Sequence, residues 1–202
     1  MEMSLNLKYK KTIAILKNGG VGIMPTDTIY GLVGSAFSRV AVERIYKIKN
    51  RSSNSPLIIL ISSISDLKKF NIEHSYILKN VRILKKVWPG KVSVILPCNK
   101  TEFKYLHRGT KSLAFRLPAK KSLIKILKNT GPLVAPSANL SNEKPAENIK
   151  EAKKYFRDKV DFYLVGKSLK KKPSTLIKID KDGKIETLRG IINTPKFFTK
   201  NK

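Results

Sequence analysis

The stretch Gly22–Leu32, GIMPTDTIYGL, sets a strand-like apolar run against a cluster of hydroxyls. Pro25 closes the run, and Thr26, Asp27, Thr28 and Tyr30 follow with Asp27 as their only charge. An interior strand has no use for these residues, and an exposed loop carries more charge. Two geometries give them a purpose. If the chain stays extended, Thr26, Thr28 and Tyr30 point to one face with period two. If a helix starts here instead, Thr26 caps it and leaves free backbone N–H donors. Either geometry makes a site for a small polar or anionic ligand at the end of a buried strand.

Outward from this point, short apolar strands alternate with amphipathic helices, the pattern of an α/β domain. Residues 7–18 read as a helix stopped by Gly19-Gly20, and VGIM (21–24) as a buried strand. Ser38 is placed to cap a helix over 39–50 that turns Ala41, Ile45 and Ile48 inward. PLIILIS (56–62), KVSVILP (91–97), SLAFRLP (112–118) and GPLVAPS (131–137) read as strands. Helices are expected over 76–88, up to about 129, and near 148–156, followed by the strand VDFYLVG (160–166). STLIKID and KIETLRG flank Asp182-Gly183, a strong hairpin signal. No repeat or long linker divides the chain. Residues 1–192 therefore read as one domain and 193–202 as a basic C-terminal tail.

Composition bounds the function. The 202 residues are 41% hydrophobic, enough to bury a core. No apolar run approaches the ~20 residues of a membrane span, the N-terminus lacks a secretory h-region, and Cys98 is the only cysteine. These features predict a cytoplasmic protein. Against 14 acidic residues stand 42 basic ones, a net charge of +28. Two readings of that excess stay open: a face for polyanions such as RNA, or the lysine-rich surface of an AT-rich genome's proteome.

Absences narrow the chemistry. There is no G-x-x-x-x-G-K-[ST] loop, no G-x-G-x-x-G fingerprint, no metal-ligand spacing around His74 or His107, and no pair of motif carboxylates. Instead, hydrogen-bonding groups and cations gather at strand ends. They are Thr26 and Thr28; Lys49 and Arg51 at a helix terminus; Ser137, Asn139 and Ser141 in APSANLSN; Arg116 inside an apolar strand; Ser174 opening one strand; and Arg189 closing the last. Arg116 is costly to bury unpaired, so it snorkels or meets an anion. Such a set suits a reaction driven by positioning and charge stabilisation, such as transfer at a nucleotide α-phosphate.

PTDTIYGL, KNR…PLIILI, WPGKVSVILP, LAFRLP, APSANLS, PSTLIKI and a closing LRG stand in the order found in YrdC-like threonylcarbamoyl-adenylate synthases. The chain resembles the short form of that family over residues 8–192. The resemblance implies a twisted, mostly mixed β-sheet flanked by helices, with a basic concave face. It implies condensation of L-threonine, bicarbonate and ATP to threonylcarbamoyl-AMP and pyrophosphate, aided by Mg²⁺. The product would pass to the tRNA threonylcarbamoyl-transfer complex, and tRNA contact has been proposed for the family. On this chain Lys49 and Arg51 would hold the ATP phosphates. Ser137, Asn139, Ser141 and Arg189 would bind nucleotide, and Thr26, Thr28, Arg116 and Ser174 would line the threonine pocket. Ser52, Ser55, Lys91 and Asn142 depart from the usual pattern; Asn142 replaces a Gly, and Asn tolerates left-handed backbone. The competing reading is a tRNA- or double-stranded-RNA-binding protein without synthetic activity.

Overall fold

The segment Thr26–Ile29 neither continues a strand nor starts a helix: it is the turn of a β-hairpin. In the computed structural model, which describes residues 2–52, 55–180 and 183–191, β1 (Val21–Pro25) pairs antiparallel with β2 (Tyr30–Ser35), and Pro25 faces Tyr30. The turn is fixed from within. Thr26 Oγ1 donates to Ile29 O at 2.6 Å and accepts from Thr28 N–H at 3.1 Å. A threonine hydroxyl here replaces backbone partners that the sheet no longer supplies.

Before the hairpin comes α1 (Glu2–Lys17). It begins earlier than residue 7, because Glu, Met and Leu favour helix there. It stops where expected: Gly19 takes φ 78°, and the N–H groups of Gly19 and Gly20 return to Leu16 O and Ile15 O. After the hairpin come α2 (Arg39–Lys49), β3 (Ile58–Leu60), a 3₁₀ segment (Ile64–Phe70), α3 (His74–Val87) and β4 (Val92–Pro97). The one-turn α4 (Lys104–His107), β5 (Ser112–Arg116), α5 (Lys121–Thr130) and β6 (Leu133–Val134) follow. The described chain ends with α6 (Ile149–Phe156), β7 (Phe162–Tyr163), β8 (Thr175–Ile179) and β9 (Ile185–Arg189). Ser38 caps α2 as expected, accepting from Ala41 N–H at 3.2 Å. The expected hairpin joins β8 to β9 antiparallel; Asp182 and the 193–202 tail lie outside the described residues.

Nine strands form one sheet in the order β7-β1-β2-β6-β3-β5-β4-β8-β9. The pairs β1–β7, β3–β5 and β4–β8 are parallel and the others antiparallel. This is the mixed sheet with flanking helices that the resemblance implied. Along β5, Leu113 and Phe115 join a core with Val94, Leu96, Ile177, Ile59 and residues of α2 and α3. The alternate residues Ser112, Ala114 and Arg116 therefore face the other side. On that side α1 and α5 contribute Leu16, Leu123, Ile126 and Leu127 to a second cluster with Met24, Val33, Leu60 and Leu133. That cluster draws on β1, β2, β3 and β6 and takes nothing from β5, β4 or β8. The site lies over the strands it leaves free.

Candidate active site

A cavity of about 330 Å³ opens over β5, β4 and the starts of β3 and β8. Its floor is apolar, with Ile58, Ile95, Ala114 and Leu176, and its rim is polar. Thr26, Thr28, Arg51, Arg116, Ser137, Ser174 and Arg189 all line it. These residues are scattered over more than 160 positions of sequence, from 26 to 189, and the sheet brings them to one space. Three other expected site residues, Lys49, Asn139 and Ser141, are not among the lining residues.

Helix α2 explains why Lys49 and Arg51 part. Asn50 ends the helix in the left-handed region with φ 49°. Lys49, the last helical residue, turns inward and is 1% exposed. Its Nζ donates to Ser137 O at 2.7 Å, Asn139 O at 2.5 Å and Asn139 Oδ1 at 3.3 Å. All three ammonium donors are thus spent on one loop. Burial, with a lesser push from Arg51, brings the Lys49 pKa down to about 7. Arg51, past the left-handed residue, reaches the cavity and is held by Nε donating to Ser55 O at 3.2 Å.

The loop that Lys49 grips is not extended, so the alternation of Ser137, Asn139 and Ser141 does not put them on one face. Asn139 N–H turns back to Ser137 O, and Ser141 N–H bonds Lys49 O. The Asn139 amide donates to Leu140 O and Glu143 O, each at 2.7 Å, and holds the loop closed. Asn142 takes φ 68°, the conformation for which Asn substitutes for Gly. Only Ser137 of the three faces the cavity.

At the other end Arg116, 4% exposed, meets an anion of the protein itself. Its Nη2 lies 3.2 Å from Asp27 Oδ1, and its Nη1 donates to Thr28 Oγ1 at 2.8 Å. Burial lowers the Arg116 pKa; Asp27 opposes that shift and Arg189 adds to it. Burial lowers Arg189 as well, with Arg51 adding. Arg189 is fixed to Ser174, whose carbonyl accepts from Nε at 3.2 Å and from Nη2 at 3.1 Å. Ser174 Oγ lies 2.9 Å from Ser93 Oγ. Thr110 and Ser112 also line the cavity and were not expected there. The alternation Ser112-x-Ala114-x-Arg116, which puts Ser112 on the same face as Arg116, is the signal that was missed. Tyr30 Oη donates to Lys167 O at 3.2 Å and ties down the basic segment before Pro173.

The remaining reactive side chains lie elsewhere. Cys98 is buried, and burial raises its pKa. His107 is buried, and its Nδ1 accepts from Gly109 N–H at 3.1 Å. No group of three or more His, Cys, Asp or Glu with metal-binding geometry occurs among the described residues.

Residues 14–190 match the Sua5/YciO/YrdC family, described as telomere recombination. The chain belongs to the Sua5/YciO/YrdC family. It is 35% identical over 145 residues to a threonylcarbamoyl-AMP synthase of Bacillus subtilis, spanning 70% of this chain and 41% of that protein. A putative threonylcarbamoyl-AMP synthase of Methanocaldococcus jannaschii is 30% identical over 188 residues, or 91% of this chain and 87% of that one. A structure of P. abyssi Sua5 complexed with L-threonine superposes with a TM-score of 0.82 at 26% identity, over 91% of this chain and 54% of that one. This Sua5/YciO/YrdC chain thus spans about half or less of the B. subtilis and P. abyssi proteins.

Proposed function

We propose that the protein is an L-threonylcarbamoyladenylate synthase, a nucleotidyltransferase that condenses L-threonine, bicarbonate and ATP to threonylcarbamoyl-AMP and pyrophosphate. One observation carries this reading. A single cavity joins three guanidiniums to a pair of threonine hydroxyls 3.2 Å apart, and among the described residues no His, Cys or carboxylate is in its wall. A chemistry that needs an imidazole, a thiolate or a carboxylate from the wall finds none there, and the wall's hydroxyls have no such base to activate them. A chemistry in which the substrate supplies the nucleophile needs only positioning and charge. The names of the relatives point the same way.

In this reading Arg51 and Arg189 grip the triphosphate, and Ser137 faces the nucleotide. Lys49 acts from behind: it fixes the Ser137 and Asn139 carbonyls, and with Asn139 and Ser141 it sets the shape of the nucleotide loop. Thr26, Thr28 and Ser174 surround threonine, whose carboxylate meets Arg116. The threonine amine adds to bicarbonate carbon, water leaves, and a carbamate results. A carbamate oxygen then attacks the α-phosphorus, and the bond to the bridging oxygen of pyrophosphate breaks. The guanidiniums bear the charge that builds on the departing phosphates. Among the described residues the wall offers hydroxyls, carbonyls and guanidiniums but no carboxylate, and that donor set does not fit a protein-held Mg²⁺.

No helix among the described residues is long and apolar enough to cross a membrane, and we place the reaction in the cytoplasm. There the product passes to the machinery that threonylcarbamoylates tRNA. The test is pyrophosphate release from ATP by purified protein, with each co-substrate left out in turn. Release that needs both threonine and bicarbonate is expected. No release from folded protein under any combination overturns the reading and favours RNA binding through the +28 charge.

A further inference from the structure

The cavity wall carries Arg51, Arg116 and Arg189 and, among the described residues, no acidic side chain. A phosphate chain entering such a space is drawn to all three arginines, yet one end must be kept for a ligand of another charge type. Arg116 differs from the other two in one respect: it has a carboxylate behind it. Asp27 is 8% exposed, and no hydrogen bond reaches either of its carboxylate oxygens among the described residues. It does not line the cavity, although Thr26 and Thr28 on either side of it do. The nearby Lys120 Nζ donates to the Pro25 and Thr26 carbonyls at 3.4 and 3.5 Å; it lies outside the cavity wall, and Asp27 acts on it through charge alone, opposing the fall in pKa that burial causes. The contact of Asp27 is therefore electrostatic: its Oδ1 stands 3.2 Å from Arg116 Nη2. Arg116 Nε has no hydrogen-bond partner among the described residues.

We infer that Asp27 is a charge filter, which cancels the net charge of Arg116 so that this end of the cavity accepts the carboxylate of a zwitterion and rejects phosphate. The inference rests on the reading of an amino acid and ATP as co-substrates. With Asp27 beside it, Arg116 keeps its directional N–H donors but pulls less on a net negative charge. An amino acid carries its own compensating ammonium, so it enters such a subsite without net charge burial. A phosphate does not, and burying its charge there is costly. Arg51 and Arg189 have no acid beside them in the wall and hold the phosphates. Asp27 is thus a positioning and specificity residue that acts through Arg116; it does not touch the substrate.

The experiment is calorimetric titration of the full-length protein with inorganic phosphate and, separately, with L-threonine. Asp27→Asn is expected to tighten phosphate roughly tenfold, the worth of one charge-assisted contact, and to make phosphate compete with threonine. Adding Arg116→Gln should abolish that gain. An Asp27→Asn protein that loses threonine but gains no phosphate affinity overturns the filter. A second variant is independent of how well Asp27→Asn folds. In an otherwise wild-type chain, Arg116→Gln should weaken threonine about tenfold while changing phosphate less than about twofold. A loss of phosphate affinity as large as that of Arg51→Ala overturns the inference. Wild-type protein that binds no threonine at all counts against the synthase reading, and the phosphate comparisons still decide the filter.

Discussion

Lys49→Met separates the cost of a buried ammonium from the value of its hydrogen bonds. An unfolded lysine titrates near 10.4, whereas Lys49 in the fold is brought to about 7 by burial first and by Arg51 second. Between those values the unfolded chain binds one more proton than the native one, so native stability rises with pH. The slope is about 1.4 kcal/mol per pH unit, and the full span is worth roughly 4–5 kcal/mol. Below pH 7 the charged form is held at full cost and the slope vanishes. Methionine removes that cost but leaves the acceptors at Ser137 and Asn139 without donors, a loss of about 1–3 kcal/mol each. The two effects nearly offset at pH 6.5. By pH 9.5 the wild type should lead the variant by about 3 kcal/mol more than at pH 6.5. Urea unfolding followed by the fluorescence of Trp88, which is 4% exposed, reads both proteins across that range. The difference cancels the titration of every other lysine. A difference that stays flat from pH 6.5 to 9.5 refutes the reasoning, because Lys49 would then keep an ordinary pKa in the fold.

Two further outcomes follow from single contacts. Tyr30→Phe removes the bond to Lys167 O, costs about 0.5–1.5 kcal/mol, and should speed amide exchange in residues 166–172 far more than elsewhere; unchanged exchange there would show that the tether holds nothing. Gly22→Ala places a methyl 2.3 Å from the Phe162 ring, which strains the β1–β7 pairing by about 1–3 kcal/mol. Pairing it with Phe162→Ala should recover part of that loss in a double-mutant cycle, and strict additivity would mean that the two side chains do not meet.

The strands β4 and β5 were legible because each is an apolar run bounded by turn residues, and Asp182-Gly183 marked the hairpin that joins β8 to β9. β2 was not. Its sequence YGLVGS holds two glycines, which weaken a strand signal; its neighbours β1 and β6 make it a strand, and they are distant in sequence or beyond a turn. The hydroxyls of Thr26 and Thr28 were found for the right reason, polar groups at the end of a buried strand, but in neither of the expected geometries. Lys49 and Arg51 were grouped because they are two apart, and a left-handed Asn50 sends them to different places. The anion that Arg116 demanded existed, but nothing in a linear reading says that Asp27, 89 positions earlier, sits behind it. Pairing across a fold has no local signature.

That pairing also bears on how the cavity holds ligand. Arg51 projects from the end of α2, Arg116 from the end of β5 and Arg189 from the end of β9. Burial is the main cause of the lowered pKa of Arg116 and Arg189, and a neighbouring guanidinium adds to each shift: Arg189 to Arg116, and Arg51 to Arg189. Free in solution, three such groups would move apart. Here β5, β4, β8 and β9 are contiguous in the sheet, and Leu113, Phe115, Val94 and Ile177 lock β5, β4 and β8 into the core from the opposite face. Core burial therefore holds the three guanidiniums together against their mutual repulsion. An anion that enters between Arg51 and Arg189 gains its own contacts and also removes a term that opposes folding, so binding and stability are coupled. The same repulsion gives one end of the row its need for a carboxylate. With Asp27 in place the repulsion along the row is smallest at Arg116, and the pull on a phosphate is strongest at the other end.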